Sequence, residues 1–267
     1  MSNQGSEATL TYSSYLHVDQ LLALQERRST PPEHDEMLFI VVHQVYELWF
    51  KQILHEVGFL QSCLESGDTA TSLDTFQRIR TIFKTMVGQV DVLETMTPVS
   101  FSSFRSRLEK ASGFQSVQFR ELEIVLGKRD PRILAHFKTN SKLHDRLIDR
   151  LGKPTLFDSF LRHLALRGYA IPEELLQRDF HETIPASPRL RATLIGIYRD
   201  DPAAASVCER LVDLDEGLQE WRYRHVKMVE RTIGALPGTG GSSGAAYLRT
   251  TLFTPLFPDL WAIRSEL

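Results

Sequence analysis

The sequence predicts an all-α protein, a helical bundle built on several long helices. Apolar residues recur every three or four positions over long stretches, most clearly over 35–65, 71–96 and 202–233. No run alternates apolar and polar residues like a half-buried strand, and no hairpin dipeptide joins two such runs. Helices with apolar stripes bury them against one another, so a bundle is the expected architecture.

The composition is that of an ordinary globular protein, with 42% hydrophobic and 24% charged residues. Because the net charge is only −3, we expect no basic surface for nucleic acid or an anionic membrane. We find no apolar run that would span a bilayer and no secretory signal. Cys63 and Cys208 lie far apart without a CxxC motif, which favours a cytoplasmic location. We expect a mobile arm at 1–11 and one domain at 12–267.

Prolines, glycines and capping residues divide the first half of the chain. Ser13 or Ser14 is expected to cap a first helix, which a Thr-Pro-Pro sequence at 30–32 terminates. Pro98 ends the second long helix or starts the next one, and Gly127 closes a later helix. The helices predicted here span 13–27, 35–65, 71–96, 99–109 and 115–126.

The second half begins with a helix start at Asp130, the residue before Pro131. Residues 170–190 contain three prolines and are the least regular part. Asp201 followed by Pro202 starts the last long helix, which Gly234 closes. The helices predicted in this half span 141–151, 155–167, 188–198, 202–233, 245–253 and 259–266.

The stretch 221–244 combines a histidine with a glycine-rich loop. His225 lies where an apolar residue would continue the stripe of the long helix. It is either a core histidine with one hydrogen bond or an axial haem ligand, since haem needs few protein ligands. No HExxH motif, paired cysteine or carboxylate at ligand spacing completes a zinc site.

The loop GTGGSSG, at 238–244, also has two interpretations. It is either a flexible connector or a segment whose backbone approaches a ligand closely. It is not a Walker A loop, because Ala245 stands where that motif requires lysine. With no strand before it, it is not a Rossmann fingerprint either. In the second interpretation Thr239 is part of a lid over a bound substrate.

Two further side chains are ambiguous when each is taken alone. His43 lies near the edge of an apolar stripe, one turn after Phe39, and is either a polar-edge histidine or a site residue. Arg105 follows aromatic residues in a short helix. Either it pairs with Glu109 at i, i+4 on the surface, or it holds a carboxylate bidentately in a partly desolvated pocket.

Several segments together resemble the tryptophan 2,3-dioxygenase family. They are TYSSYLHVDQLL (11–22), HDEMLFIVVHQVYELWFKQILHE (34–56), VLETMTP and FR (92–105), SGFQSVQFR (112–120), WRYRHVKMVERTIG (221–234) and GTGGSSG with YLR (238–249). They occur in the order that the family shows. The resemblance implies a haem b protein with ferrous iron in its active form, usually a homotetramer. It also implies cleavage of the indole C2–C3 bond of L-tryptophan by O2 to give N-formyl-L-kynurenine.

The resemblance implies a role for each matching position. His225 has the position of the proximal iron ligand, and Ser112 and Gly113 have cofactor-binding positions. His43 has the position of the distal histidine, which hydrogen-bonds the substrate indole N–H. Phe39 has the position of an aromatic residue that packs against the indole, and Arg105 and Thr239 have the positions that hold the substrate carboxylate and ammonium. Phe101 has a position near the carboxylate. Tyr12 and Tyr15 belong to an N-terminal segment that, in the family, reaches into a neighbouring subunit's pocket.

Two residues depart from the family pattern. Phe101 stands where some bacterial members have a tyrosine, so one hydrogen bond to the substrate carboxylate is lost. Val90 replaces a bulky aromatic residue near the haem edge, which is expected to loosen the haem packing.

Two other functions remain open. One alternative is a haem mono- or dioxygenase that acts on a substituted tryptophan or indole in secondary metabolism. Another is a helical interaction protein without enzymatic activity.

Overall fold

The computed structural model describes residues 9–137 and 140–267, and only the backbone of residue 136. Every regular element in these residues is a helix, which confirms the predicted all-α class. The α-helices, numbered in chain order, are α1 Tyr12–Leu16, α2 Val18–Leu22, α3 His34–Glu65, α4 Thr69–Leu93, α5 Pro98–Arg105, α6 Val117–Val125, α7 Ser141–Leu151, α8 Leu156–Leu166, α9 Glu173–Leu176, α10 Pro188–Asp200, α11 Pro202–Ile233, α12 Ala245–Arg249 and α13 Pro258–Ala262. Short 3-10 helices span Ser106–Leu108, Gly113–Gln115, Pro131–Phe137 and Ile263–Ser265.

Three long helices form the centre of the bundle. Helix α4 packs along both α3 and α11, while α6 and α8 cover the other sides of α3. Leu60, Phe83 and Leu211, one from each long helix, have no exposed surface. Helices α3 and α11 have 32 residues each, which corresponds to a length of about 48 Å. Since α4 is shorter, with 25 residues, both helices have room to form a site beyond the main core.

A second, smaller apolar cluster lies at one end of this bundle. It joins the N-terminal half of α3, the C-terminal end of α4, helix α5 and the C-terminal half of α11. Its buried members are Val42, Val90, Leu93, Met96, Phe101, Phe104 and Met228. This cluster supports the cavity described below.

Side-chain caps begin two helices around the site, and the cap at Asp201 and a helix start at Pro98 were among the predictions. The Thr97 hydroxyl accepts a hydrogen bond from the Ser100 amide at 3.1 Å, with Pro98 in the first turn of α5. Asp201 accepts from the amides of Ala203 and Ala204 at 3.0 Å each at the start of α11. Helix α11 ends at Gly234, whose φ of +60° turns the chain away from the helix axis.

Several predicted elements were wrong in detail. The single helix expected over 13–27 is two short helices, because His17 has a φ of +52° and interrupts the α-helical backbone. Thr11, rather than a serine, caps the first of them. The helix expected over 99–109 is α-helical only to Arg105, and Glu109, with a φ of +48°, follows its 3-10 extension.

The chain after Asp130 forms a 3-10 helix, and the two C-terminal α-helices are shorter than expected. Most of the predicted arm at 1–11 lies outside the described residues. In all the residues that the structure describes, no helix is both long enough and apolar enough to cross a membrane.

Candidate active site

The end of the bundle with the smaller cluster contains a cavity of about 570 Å³, a volume typical of small-molecule sites. Its walls come from α3, α4, α5, α6 and α11, from the segment 108–116 and from the loop that leads into α12. The residues singled out from the sequence that line it are Phe39, His43, Phe101, Arg105, Ser112, Gly113, His225 and Thr239. Tyr12 and Tyr15 are not in the lining and are 78% and 68% exposed.

His225 lies on the face of α11 that forms one wall of this cavity. The indole ring of Trp221, one turn earlier, stacks on the imidazole with centroids 5.3 Å apart and planes 4° apart. Burial within the protein lowers the pKa of His225 to about 4, and nearby His43 and Arg120 add to this effect. The imidazole is therefore neutral at pH 7. The surface area that it retains is cavity wall rather than outer surface.

Neither ring nitrogen of His225 has a hydrogen-bond partner in the described part of the chain. A core histidine would need such a partner, because an unpaired buried polar group costs stability. A metal ligand instead needs a neutral imidazole with a free lone pair. The geometry favours the ligand interpretation over the core interpretation.

His43 faces the same cavity from α3. Its Nδ1 lies 2.7 Å from the main-chain oxygen of Phe39. Since a carbonyl oxygen can only accept, Nδ1 carries the hydrogen, and Nε2 of the neutral ring keeps its lone pair. Burial lowers the pKa of His43, which favours this neutral form. His43 is thus prepared to accept a hydrogen bond from an N–H group in the cavity.

Aromatic rings packed on one another form a wall beside the His43 ring, and the space along this wall is called the aromatic slot below. The ring of Phe39 lies 4.0 Å from the imidazole, 5.8 Å from Phe101 and 5.6 Å from Phe104, measured between centroids. Val90, which is 2% exposed, belongs to the same wall. Because neither Phe101 nor Val90 carries a polar group, this part of the cavity suits a flat apolar ring.

Two hydrogen bonds fasten the glycine-rich loop and Pro237, the residue before it, to the end of α5 and to the segment that follows α5. Arg105 donates from Nη2 to the main-chain oxygen of Pro237 at 2.5 Å. The Thr239 hydroxyl donates to the main-chain oxygen of Ala111, also at 2.5 Å. The loop 238–244 therefore closes one side of the cavity, with Arg105 and Thr239 in its wall.

The close packing of this loop explains two of its glycines. A Cβ on Gly240 would lie 2.6 Å from both Cβ and Oγ of Ser112. Gly244 has a φ of +61°, and a Cβ there would lie 2.6 Å from the main-chain oxygen of Leu236. The loop is thus packed against Ser112 rather than being an unattached connector.

A buried ionic cluster forms another corner of the cavity, and the sequence interpretation missed it. Glu123 accepts from Arg120 at 2.5 Å, from Arg222 at 3.1 Å and from Lys128 at 3.0 Å. Three cations thus surround one carboxylate, and the buried Nε of Arg120 has no hydrogen-bond partner among the described residues. Arg120 and Arg222 line the cavity, so this corner suits an acidic group on a ligand.

These features fit a haem. The cavity offers one neutral imidazole with free nitrogens, apolar walls, and a cationic corner with an unpaired buried donor for an acidic substituent. No group of three or more His, Cys, Asp or Glu side chains that would hold a metal ion alone occurs in the described residues. A single protein ligand is enough to hold a haem iron, because the porphyrin ring supplies four nitrogen ligands.

Comparison with known proteins gives a uniform result. A family model described as tryptophan 2,3-dioxygenase matches residues 1–166 and 186–267. A protein of that name from Herpetosiphon aurantiacus is 60% identical over 258 residues, which cover 97% of this chain and 98% of the relative. One from Anaeromyxobacter sp. (strain K) is 59% identical over 260 residues, with 97% of both chains covered. One from Kineococcus radiotolerans is 44% identical over 261 residues, with 97% of this chain and 91% of the relative covered.

Proposed function

The chain belongs to the tryptophan 2,3-dioxygenase family, and we propose that it cleaves the indole C2–C3 bond of L-tryptophan with O2 to give N-formyl-L-kynurenine. One observation carries this proposal beyond the family. A single cavity joins three features: a neutral His225 without a hydrogen bond to the described residues, an aromatic slot with a hydrogen-bond acceptor, and an arginine. The relatives are named tryptophan 2,3-dioxygenase, so they give no support to the alternative in which the substrate is a substituted tryptophan or indole.

In this proposal the cofactor is haem b with ferrous iron, and His225 would be the protein ligand that holds its iron. Arg120 and Arg222 would hold its acidic substituents, while Ser112 and Gly113 would contact it from the adjoining wall. When bound, haem supplies the redox-active iron that allows O2 to react with the indole. Trp221 stacks on His225 and keeps the imidazole plane fixed.

The protein's own contribution is mainly to position the substrate. The indole occupies the aromatic slot, with Phe39 against it, and its N–H donates to Nε2 of His43. Arg105 binds the carboxylate bidentately, and the Thr239 hydroxyl accepts from the ammonium. Fixing both ends of the substrate places the C2–C3 bond in one orientation, which lowers the entropic cost of reaction.

His43 orients the substrate rather than removing a proton in this scheme. An indole N–H is a poor acid, and burial makes His43 a weaker base by lowering its pKa. A neutral acceptor also avoids placing a second cation in the apolar slot. We therefore assign His43 the role of fixing the indole edge.

The protonation state of His43 predicts how activity depends on pH. Because burial lowers its pKa below 6.5, His43 is mostly neutral at pH 6.5 and becomes half protonated only in more acidic solution. Protonation converts Nε2 from an acceptor to a donor and breaks the bond to the indole. We expect kcat/KM for L-tryptophan to be constant at neutral pH and to fall in acidic solution, with a midpoint below pH 6.5. A fall centred at or above pH 6.5 in protein that remains folded by circular dichroism would contradict this assignment.

We also propose that the chain forms a homotetramer in which Tyr12 and Tyr15 reach a neighbouring subunit. Support comes from the described N-terminal segment, where Leu10 and Leu22 are 69% and 70% exposed along with both tyrosines. Such a concentration of exposed large apolar side chains is typical of an interface. Sedimentation velocity is expected to give the mass of four chains, and a monomer at micromolar concentration would refute the arrangement.

The proposed reaction is tested directly with purified protein loaded with haem. The protein is reduced without oxygen, L-tryptophan is added, and O2 is then admitted. We expect a Soret band before the reaction and the near-ultraviolet band of N-formylkynurenine after it. Protein that carries haem and consumes no tryptophan would refute the proposed substrate, and protein that takes up no haem would refute the proposed cofactor.

A further inference from the structure

A small polar pocket adjoins the loop side of the candidate site. It has a volume of about 380 Å³ and is lined by Ser102, Arg105, Ser106, Glu109 and Thr239. Arg105 and Thr239 also line the main cavity, so the two spaces share a wall. Arg105 and Thr239, the residues proposed to bind the polar end of the substrate, therefore face this pocket as well.

The pocket contains one cation and one anion that do not neutralise each other. An ion pair between Arg105 and Glu109 would be natural at i, i+4 on a helix, but none is found in the described part of the chain. The reason is that the 3-10 turn ends at Leu108 and Glu109 has a φ of +48°, so the two residues are not in helical register.

Neither of these charges is compensated by another described side chain. Arg105 donates to the main-chain oxygen of Pro237, which carries no formal charge. The Glu109 carboxylate has no hydrogen bond or ion pair to any described residue. Arg107 and Lys110 lie close to Glu109 in sequence but are absent from the lining of the pocket.

A free α-amino acid has the charge pattern that this pocket would complement. It carries a carboxylate and an ammonium on the same carbon, and the pocket presents an uncompensated guanidinium and an uncompensated carboxylate on one lining. Building on the proposed substrate, we propose that Glu109 is a specificity-determining residue that attracts, from the adjoining pocket, the ammonium of L-tryptophan that Thr239 binds in the main cavity. Arg105 takes the carboxylate, so Glu109 selects zwitterionic amino acids over indole acids that lack an ammonium.

The role of Glu109 is tested with the haem-loaded full chain. In Glu109→Gln, the KM for L-tryptophan is expected to rise about three- to fivefold, as for other exposed charge pairs, with kcat unchanged. The inhibition constant of indole-3-propionate, an anion without an ammonium, is expected to stay the same or fall. Glu109→Asp keeps the charge and is expected to restore most of the wild-type KM. The matched control is Glu216→Gln, which removes an exposed carboxylate of α11 that lies outside both cavities.

Ionic strength provides a second readout, because the proposed attraction is electrostatic. In about 1 M salt, where charges are screened beyond about 3 Å, the KM values of wild type and Glu109→Gln are expected to converge. An unchanged KM in Glu109→Gln, or an equal shift for L-tryptophan and indole-3-propionate, would overturn the role of Glu109. Calorimetric titration with L-tryptophan measures binding without turnover, so it tests the role of Glu109 independently of the proposed reaction. Weaker binding to Glu109→Gln than to the wild type supports the residue's role even if the wild type shows no turnover. An absence of turnover would refute only the proposed reaction.

Discussion

Replacing His225 with alanine is expected to abolish the Soret band of the purified protein while leaving the bundle folded. In the proposed site this imidazole is the iron's protein ligand. Outer-shell partners alone change metal affinity by about 10- to 100-fold, so removal of the ligand itself is expected to exceed about 100-fold in haem affinity. Folding is expected to survive, because the ring makes no hydrogen bond to the described residues and lies at the cavity wall.

The His225→Ala experiment has a matched control and a rescue. His55→Ala removes an exposed histidine of α3 outside the cavity, and this variant is expected to keep its haem. Free imidazole in the buffer is expected to restore the Soret band of His225→Ala, because the truncated side chain leaves space beside Trp221. A His225→Ala protein with normal haem content and an unchanged spectrum would refute the ligand assignment.

Replacing Arg105 with alanine is expected to raise the KM for L-tryptophan by roughly 100-fold, since a bidentate bond to a carboxylate contributes about 3 kcal/mol. The change also removes the hydrogen bond to Pro237 that fastens the glycine-rich loop. Steady-state kinetics measure the first effect, and circular dichroism checks that the helices persist.

Two comparisons separate lost carboxylate binding from a displaced loop. Arg105→Lys keeps the charge but loses the planar fork, so an intermediate KM is expected. Tryptamine has no carboxylate, and its inhibition constant is expected to be nearly the same in wild type and Arg105→Ala. An equal loss of affinity for tryptamine and L-tryptophan would show that the variant acts through the loop rather than through the carboxylate.

The long helices were predictable because residues close together in the sequence determine where they form and where they begin. Their apolar stripes repeat over many turns, and Asp201 caps α11 as the sequence indicates. The break at His17 was not predictable in this way, since a polar residue in the left-handed region leaves no pattern in the sequence. The same applies to Glu109, whose backbone conformation rules out the pairing with Arg105 that helical spacing suggested.

The site was predictable only where one residue is itself unusual or matches a family position. His225 interrupts an apolar stripe and the loop 238–244 is rich in glycine, so both attract notice. The ionic cluster was missed because Arg222 and Glu123 lie on different helices, α11 and α6, and tertiary packing brings them together.

The central claim is that this protein inserts both atoms of O2 into the indole ring of L-tryptophan. The most direct test is a single turnover of the reduced, haem-loaded protein with L-tryptophan under isotopically labelled O2, followed by mass spectrometry of the product. We predict N-formyl-L-kynurenine in which both new oxygen atoms carry the label. A product with one labelled oxygen would indicate a monooxygenase and would contradict the account.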